Sequence, residues 1–369
     1  MKVLCNRDAL RQGLAVANTV IPAKTPKPIL SNVCLVATAD ALELVGTDLD
    51  VSLRYRIEDV KVIEPGTAVV SARTAHDFVR DLSGETVELS SSDGSLSITS
   101  GSDVGRLVTA DSDEFPVVAR FSDEGATTLQ GGTFTTLVSR TAFAAAREQG
   151  RYAMHGVLME IEDGRLKMVA TDGRRLALAS STIENGPDRF PTKRPVIVPT
   201  KGVQLFCRVI TDPLGPIKLT VEESQIGIKT QNAEVFARLL DGEFPRYNAV
   251  IPNEATNIVE ADAGIFERKL RLVANATGDE TRAVKLTARK GEMEITAQSA
   301  GKGAATAQLE IDYKGKNAEI TFNADYVIEG LKTCESGQVR LEFNERNAPG
   351  LFRLGESYTY VVMPITIDT

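Results

Sequence analysis

The chain has 369 residues, of which 42% are hydrophobic and 25% charged, a composition that predicts a soluble globular protein with room for two or three hydrophobic cores. No apolar run approaches the roughly 20 residues of a membrane span, and the first seven residues turn polar too early for a signal peptide, so we expect a cytoplasmic protein. The net charge of −8 disfavours nucleic acid as a partner unless positive charge is concentrated on one surface.

The first third of the chain predicts two halves built on one plan, in which a strand and a helix are followed by three strands. A strand at 2–5 leads through Asn6, a residue type favoured as a helix N-cap, into an amphipathic helix. A rigid proline-rich loop at 22–28 separates this helix from the strands that follow. The second half has its helix at 72–82 and ends in short strands that close at 115–116.

The same plan recurs in the rest of the chain. Residues 117–133 are rich in Gly, Ser, Asp and Thr and predict one linker, and residues 247–261 predict a second. Between and after these linkers, helices are predicted at 134–148, 201–210, 266–274 and 324–333.

A tight turn is predicted just before the middle of the chain, at Thr171, Asp172 and Gly173. Glycine permits positive φ, and an aspartate side chain can accept hydrogen bonds from the backbone that follows it. Arg174 and Arg175 then begin a second extended run, so the segment predicts a hairpin with two guanidinium groups at its mouth.

Two markers repeat along the chain. Residues 165–172 resemble 41–48, and 291–298 echo both more faintly, at offsets of 124 and 126 residues. A bulky apolar residue followed by proline recurs at 115, 244 and 363, at offsets of 129 and 119 residues. Two independent markers in the same order predict three copies of one domain, which we place at residues 1–122, 123–252 and 253–369.

Charge is unevenly divided between the predicted helices and the remaining chain. The helices carry seven acidic residues, but they carry twelve basic ones: Arg7, Arg11, Arg73, Arg80, Arg140, Arg147, Lys201, Arg208, Arg268, Lys269, Arg271 and Lys332. Solvated helix faces are one explanation, and a surface for nucleic acid is the other. With no Trp and only 5% aromatic residues, such a surface would hold the nucleic-acid backbone rather than stacked bases.

No catalytic constellation is evident in the sequence. No phosphate-binding glycine loop is present, and His76 and His155 have no Cys or carboxylate at metal-ligand spacing. The four cysteines are widely separated and predict reduced thiols. Asp172 could in principle hold Mg²⁺, but its two arginine neighbours would repel a cation. We therefore expect neither a cofactor nor a metal ion.

The C-terminal strand places Thr359, Val361 and Met363 on one face by the period of two, just before Pro364. These apolar side chains are suited either to an ordinary core or to an adaptable groove for the apolar side chains of a peptide.

Together these segments resemble the beta sliding clamps of bacterial replicative DNA polymerases, along the chain from the first residue to 367. The motifs that carry the resemblance lie at residues 28–32, 46–49, 151–152, 170–177, 244–247 and 360–364. The resemblance implies an α+β fold of three tandem clamp domains in a head-to-tail homodimeric ring, with helices lining the hole and antiparallel sheets outside. It also implies a non-enzymatic accessory subunit that tethers the polymerase to duplex DNA, whereas ATP is used by a separate clamp loader.

The resemblance implies two sets of site residues. The family's peptide groove, which takes a motif containing Leu and Phe, falls on Met154, Thr171, Gly173, Arg174, Arg175, Leu176, Pro245, Val250, Asn323, Tyr326, Val361, Met363, Pro364 and Ile365. Its partners would be the catalytic subunit of the replicative polymerase, the clamp loader, and other polymerases and repair proteins with such a peptide. The DNA-facing positions fall on Lys24, Arg73, Arg147, Lys201 and Arg282. The chain departs from the family pattern at Arg174 in place of His, at Ala153 in place of an aromatic residue, and at Ile365 in place of Met.

Two other functions stay open from the sequence alone. Asp48 and Asp172 are repeated carboxylates that a metal-dependent nuclease or phosphatase could use, and a peptide-binding scaffold without DNA is the third hypothesis. For the dimer, we expect contacts between the edge at 107–109 of one chain and residues 270–275 of the other.

Overall fold

The computed structural model describes residues 1–148, 150, 152–335 and 337–366. Arg151, part of one motif quoted above, and Ile367 lie outside the described residues. The chain forms two compact units. The first unit comprises Met1–Thr135 and Ile183–Leu239, and the second comprises Thr136–Thr182 and residues 240–366.

The first part of the chain follows the predicted plan twice, with one additional strand. Its elements are β1 (Lys2–Asn6), α1 (Arg7–Val20), β2 (Asn32–Ala37), β3 (Leu42–Thr47), β4 (Val51–Ile57), β5 (Val60–Glu64), β6 (Gly66–Ser71), α2 (Ala72–Asp81), β7 (Thr86–Ser92), β8 (Ser95–Ser100) and β9 (Asp103–Ala110).

The middle part repeats the same order of strands and helices. Its elements are β10 (Thr127–Gln130), α3 (Gly131–Thr141), β11 (Gly156–Glu162), β12 (Arg165–Thr171), β13 (Arg175–Thr182), β14 (Val196–Pro199), α4 (Thr200–Val209), β15 (Pro216–Val221), β16 (Gln225–Lys229) and β17 (Ala233–Arg238).

The last part follows the plan for the third time. Its elements are β18 (Asn257–Asp262), α5 (Ala263–Ala274), β19 (Ala283–Arg289), β20 (Glu292–Ser299), β21 (Gly303–Glu310), β22 (Ala318–Asn323), α6 (Ala324–Leu331), β23 (Gln338–Phe343), β24 (Gly350–Arg353) and β25 (Tyr358–Val362).

Helices α1 and α5 begin directly after residues whose side chains cap their first backbone N–H groups. The Asn6 carboxamide oxygen accepts hydrogen bonds from the N–H groups of Asp8 and Ala9 at 2.9 and 3.1 Å, as the sequence predicts. Asp262 caps α5 in the same way, through the N–H of Ile265 at 2.7 Å. This cap starts α5 at residue 263, three residues before the predicted start.

The predicted ends of two helices are wrong. Helix α3 stops at Thr141 rather than at residue 148, and the chain continues as a short 3-10 helix at Ala142–Ala144. The Thr141 hydroxyl donates to the Leu137 carbonyl within the last turn of α3. Beyond it, the Phe143 carbonyl accepts from Arg175, so a tertiary contact takes the place of the next helical hydrogen bond. Helix α6 stops at residue 331. Arg147 and Lys332 are therefore not on helices.

The predicted linkers are also shorter than the sequence suggests. Strand β10 and the start of α3 lie within 117–133, and β18 lies within 247–261. The four residues of β10 pair with β15, so main-chain hydrogen bonds to a distant strand order a segment whose composition is that of a loop.

One continuous antiparallel sheet organises the first unit. Its strand order is β10-β15-β16-β17-β4-β3-β2-β6-β9-β8-β7-β1-β5. The pairing of β17 with β4 joins strands of the middle part of the chain to strands of the first part. Helices α1 and α2 pack against each other, and the apolar face of α1 covers β3 and β4.

Two antiparallel sheets organise the second unit. One contains the order β11-β12-β13-β25-β24-β23-β18, and the other has the order β21-β20-β19-β22. Helices α5 and α6 pack together, and α5 lies against β20 and β21. Strand β13 pairs with β25, which joins the middle part of the chain to its last strand.

No helix among the described residues is long and apolar enough to span a membrane.

Candidate peptide-binding groove

The predicted turn between β12 and β13 is held by its own side chains. The Thr171 hydroxyl donates to the Arg175 carbonyl at 2.6 Å and accepts from the N–H of Gly173 at 3.1 Å. The Asp172 carboxylate accepts from the N–H groups of Arg174 and Arg175 at 2.9 and 3.0 Å. Gly173 has φ +84°, where glycine avoids the strain that a Cβ would add.

The first unit contains the same turn between β3 and β4. The Thr47 hydroxyl donates to the Val51 carbonyl at 2.9 Å and accepts from the N–H of Leu49 at 2.9 Å. The Asp48 carboxylate accepts from the N–H groups of Asp50 and Val51 at 3.0 and 2.7 Å. The repeated Thr-Asp pair is thus a turn-capping device, which explains its recurrence without catalysis.

Because both aspartates of this pair accept backbone hydrogen bonds, their oxygens are already engaged. The part of the chain that the structure describes contains no group of three or more His, Cys, Asp or Glu side chains arranged for a metal ion. The geometry therefore gives no support to Asp48 and Asp172 as the metal ligands of a nuclease or phosphatase.

Arg175 is buried beneath the turn, with 7% of its side chain exposed. Its Nε donates to Asp172 at 3.2 Å, its Nη2 donates to the Phe143 carbonyl at 2.9 Å, and its Nη1 pairs with Glu329. The guanidinium also lies 4.6 Å from the centroid of the Tyr326 ring. This arginine organises the wall of the site, whereas Arg174 next to it is exposed.

Tyr360 of β25 lies below Arg175 and is almost fully buried. Its hydroxyl donates to the Tyr326 carbonyl at 2.8 Å, and its ring lies 5.5 Å from that of Phe143. Burial raises the pKa of Tyr360. A Cβ at Gly330 would lie 2.5 Å from the Tyr360 ring, so glycine allows α6 to approach this strand closely.

The end of the chain lies beside the turn. In β25, Val361 pairs with Leu176, and beyond the strand the N–H of Met363 donates to the Arg174 carbonyl at 2.8 Å. The N–H of Ile365 donates to the Thr321 carbonyl at 2.8 Å. The expectation that residues 171–176 and 361–365 lie side by side is confirmed.

An apolar groove of about 100 Å³ opens between these two segments. Its lining residues are Met154, Thr171, Gly173, Arg175, Leu176, Pro245, Arg246, Tyr247, Val250, Val361 and Met363. The Tyr247 hydroxyl donates to Glu160 at 2.6 Å, which fixes the ring, and burial together with this bond raises the pKa of Tyr247. Met363 is 38% exposed and Val250 43%, so apolar surface faces the opening.

A second cavity of about 540 Å³, the polar cleft, adjoins this groove and shares Arg175 with it. Its lining residues are Ala145, Arg147, Asp172, Arg174, Arg175, Asp279, Glu280, Arg282, Asn323, Asp325, Tyr326, Ile328, Glu329 and Lys332.

The structure brings most of the expected groove residues together, in two groups. Nine line the apolar groove, and Arg174, Asn323 and Tyr326 line the polar cleft. Pro364 and Ile365 line neither cavity. Two groove residues were missed, Arg246 and Tyr247, although both belong to the motif at 244–247 that carried part of the resemblance.

Among the expected DNA-facing residues, Lys24, Arg73 and Arg147 are exposed and have no ion pair within the described residues. Lys201 is different, because its ammonium pairs with Asp48 of the first-unit turn. A DNA phosphate at Lys201 would compete with that carboxylate.

Arg282 is engaged in the fold. Its Nε and Nη2 donate to Asp325 at 3.0 Å each, and its Nη1 donates to the Ala274 carbonyl at 2.9 Å and to Thr277 at 3.0 Å. These contacts tie the end of α5 to the start of α6, so a phosphate contact would have to displace Asp325.

Three α+β repeats joined by continuous antiparallel sheets, with an apolar groove beside the last strand, define the class of clamp-fold scaffolds. Sequence models of the DNA polymerase III beta subunit match the chain in three stretches, the N-terminal domain at 1–119, the central domain at 128–246 and the C-terminal domain at 248–366.

Individual relatives agree with these matches. The beta sliding clamp of Pseudomonas putida is 30% identical over 370 residues and covers 100% of both chains. A DnaN sliding clamp from Pseudomonas aeruginosa, solved bound to griselimycin, has a TM-score of 0.94 at 29% identity. The DNA polymerase sliding clamp of Bacillus subtilis has a TM-score of 0.94 at 25% identity, and both structures cover 100% of the chain and are covered fully by it.

The chain belongs to the beta sliding clamp family, the beta subunit of DNA polymerase III. Its function is that of a sliding clamp in DNA replication, and the nuclease or phosphatase hypothesis is not favoured.

Proposed function

We propose that two copies of the chain close head to tail into a ring around duplex DNA, without sequence specificity, and that the apolar groove docks the peptides of proteins that use the ring. The observation that carries the docking proposal is the apolar groove where the turn at 171–175 meets the end of β25. The chain is then an accessory subunit rather than an enzyme, with domains at 1–122, 123–252 and 253–369.

The groove supports docking of a short peptide with apolar anchors. Its lining is apolar at the mouth and held from behind by buried hydrogen bonds, so the shape exists before a ligand arrives. Leu and Phe side chains are suited to this lining. We propose that this groove binds the polymerase catalytic subunit, the clamp loader, and other polymerases and repair proteins that carry such a peptide.

Two edges of the fold support the head-to-tail dimer. Strand β9 pairs with β6 only at Thr109 and Ala110, which leaves its earlier residues with one free edge, and β21 is the outermost strand of its sheet. An unpaired edge of this kind readily adds a strand from another chain. Pairing β9 of one chain with β21 of the other uses two different faces, and such a contact forms a ring when the rotation closes.

Apolar and charged residues beside these edges complement each other. Val104 and Val108 of β9 are 60% and 85% exposed, and Phe78 of α2 is 39% exposed. On the other face, Ile265 and Leu272 of α5 are 39% and 56% exposed beside β21. The cavity next to β9 is lined by three carboxylates, two of which pair with Arg80, whereas α5 carries three cations, one of which pairs with Glu267. The two residue stretches expected at the interface, 107–109 and 270–275, lie on these two faces.

Retention on DNA of different topology tests the proposal. The chain is loaded onto a nicked circular duplex by a clamp loader with ATP, and half of the sample is then linearised. A ring stays on the circle and slides off the free ends, because topology rather than tight binding holds it. Equal retention on both forms would refute encirclement, and loss from circles after Mg²⁺ chelation would point to a metal-dependent activity instead.

A further inference from the structure

The polar cleft adjoins the apolar groove, and the two cavities meet at the buried Arg175. A peptide seated in the groove therefore has neighbouring residues within reach of the cleft. The charges of the cleft decide which neighbours are favoured.

Most charges of the cleft neutralise one another within the fold. Arg175 pairs with Asp172 and Glu329, and Arg282 pairs with Asp325. Asp279 also has a partner, Lys302 outside the cleft, and hydrogen bonds with it lower the pKa of Asp279.

The charges that remain are mainly positive. Arg147, Arg174 and Lys332 are exposed and make no ion pair within the described residues, whereas Glu280 is the one lining carboxylate there without such a pair. Arg175 leaves one negative charge of its two carboxylate partners unbalanced, so three available cations face two negative charges, and the small positive excess favours an anionic ligand segment.

Arg174 is held in place by its backbone. Its N–H donates to Asp172 at 2.9 Å, and its carbonyl accepts from the N–H of Met363 at 2.8 Å. Its exposed side chain thus extends from a fixed point between the groove and the cleft. A guanidinium fixed at its base loses less freedom when it binds a carboxylate in a two-pronged contact.

We propose that the polar cleft selects peptides in which acidic residues flank the apolar anchors, with Arg174 as the main contact and Lys332 as a supporting charge. This inference rests on the proposed peptide-docking function of the groove. The apolar lining alone would select peptides only by the shape of their anchor side chains. The polar cleft adds a preference for charge.

Fluorescence anisotropy with the full-length chain tests this preference. Two synthetic peptides share a Leu-Phe core and differ only in their flanks on both sides, Asp and Glu in one and Asn and Gln in the other. We expect the acidic peptide to bind about fivefold more tightly at low salt, and the difference to shrink as salt rises. Arg174→Gln should remove most of the difference, Lys332→Gln part of it, and the control Lys290→Gln, an exposed lysine outside the cleft, none of it.

The outcomes separate this inference from the docking function itself. Equal affinity of the two peptides for the unmodified chain would overturn the charge preference and leave the groove intact. Failure of both peptides to bind would overturn the docking function together with this inference. If Arg174→Gln weakens direct binding to a short linear duplex at low salt and leaves peptide discrimination unchanged, Arg174 contacts DNA and the inference is wrong.

Discussion

Arg174 and Arg175 are adjacent in the sequence and have opposite environments. Arg175 is buried and makes contacts with two carboxylates, one carbonyl and two aromatic rings. Arg174 is exposed, with only its backbone engaged in described contacts. From the sequence, both arginines were expected at the mouth of the hairpin. In the structure, only the side chain of Arg174 is available to a ligand.

Replacing Arg175 should destabilise the protein, because its loss leaves buried acceptors and a paired carboxylate without a partner. We expect Arg175→Ala to reduce the free energy of unfolding by about 3 kcal/mol, as removal of one partner of a buried ion pair does. Arg174→Gln at the next position is the control and should change it by less than about 0.5 kcal/mol. Urea unfolding monitored by circular dichroism measures both, and equal effects would contradict the assigned roles.

The cysteine thiols should be unreactive in the folded protein. Burial raises the pKa of Cys5 to about 12 and those of Cys34 and Cys207 to about 11. Because the thiolate is the reactive form, only about a thousandth of a thiol with a pKa of 11 is available at pH 8. We expect at most the half-buried Cys334 to react rapidly with a disulfide reagent at that pH.

Addition of denaturant provides the control for this measurement, because all four thiols should then react. Two or more fast thiols in the folded protein would show that these cysteines are more accessible than the structure indicates.

Three exposed basic residues, Lys24, Arg73 and Arg147, should contribute to DNA contact without base preference. We expect Glu at all three positions to weaken loading onto circular duplex and contact with the DNA, and to reduce the salt dependence, by a similar factor for AT-rich and GC-rich DNA. The same reversal at the exposed Lys290, Lys314 and Lys316 is the control. Losses that follow base composition would indicate groove recognition instead.

At the scale of elements, the groove depends on two segments that meet across a long interval of sequence. Strand β13 and strand β25 pair from Arg175 opposite Val362 to Ala179 opposite Tyr358. After β25, the N–H of Met363 extends this contact to the Arg174 carbonyl, and the N–H of Ile365 instead donates to the Thr321 carbonyl of β22. One wall of the groove is therefore formed by residues close to the end of the described chain.

A chain that ends at Val362 should fold but bind groove peptides weakly. The truncation removes the exposed Met363 and leaves the pairing of β25 intact, so the core of the second unit remains. Each lost apolar anchor should reduce peptide affinity by about 2 kcal/mol, as buried hot-spot residues do. Calorimetric titration with a Leu-Phe peptide measures the loss.

Native mass spectrometry and thermal unfolding of the truncated chain provide the control. A folded dimer with unchanged peptide affinity would show that Met363 does not contribute to docking and that partners bind elsewhere.

At the scale of the whole molecule, the proposed assembly would use two faces that carry exposed apolar residues. Val108 in β9 and Leu272 on α5 are 85% and 56% exposed. When large apolar residues are exposed near a free sheet edge of a single chain, they usually mark a surface that another chain covers. The same two faces contain the segments expected to meet in the dimer.

Leu272→Glu should convert the dimer into monomers. A head-to-tail ring contains this residue at both interfaces, so a loss of about 2 kcal/mol at each interface opens the ring at micromolar concentration. Leu214→Glu, at an 81% exposed leucine between α4 and β15, is the control. Sedimentation velocity should show one chain for Leu272→Glu and two for the control, and a stable dimer of the former would exclude this interface.

Local interactions explain what the sequence by itself determined. The repeated order of strands and helices, the Asn6 cap and the turn at 171–173 all depend on residues within a few positions of one another. Their periodicity and their capping chemistry are therefore visible in a linear sequence. The repeat of these signals also indicated three domains, and the joint set of motifs indicated the family.

Contacts between residues that are far apart in the sequence decided which side chains are buried and which charges are paired. Arg175 pairs with Glu329, which is 154 positions away in the sequence. The same arginine donates a hydrogen bond to the Phe143 carbonyl, just beyond the end of α3. The ion pair of Arg282 with Asp325 and the unpaired charges of the polar cleft likewise depend on which elements pack together. Burial and charge pairing are properties of the packed chain, so only the tertiary structure separates the arginines that support the site from those that are free to bind.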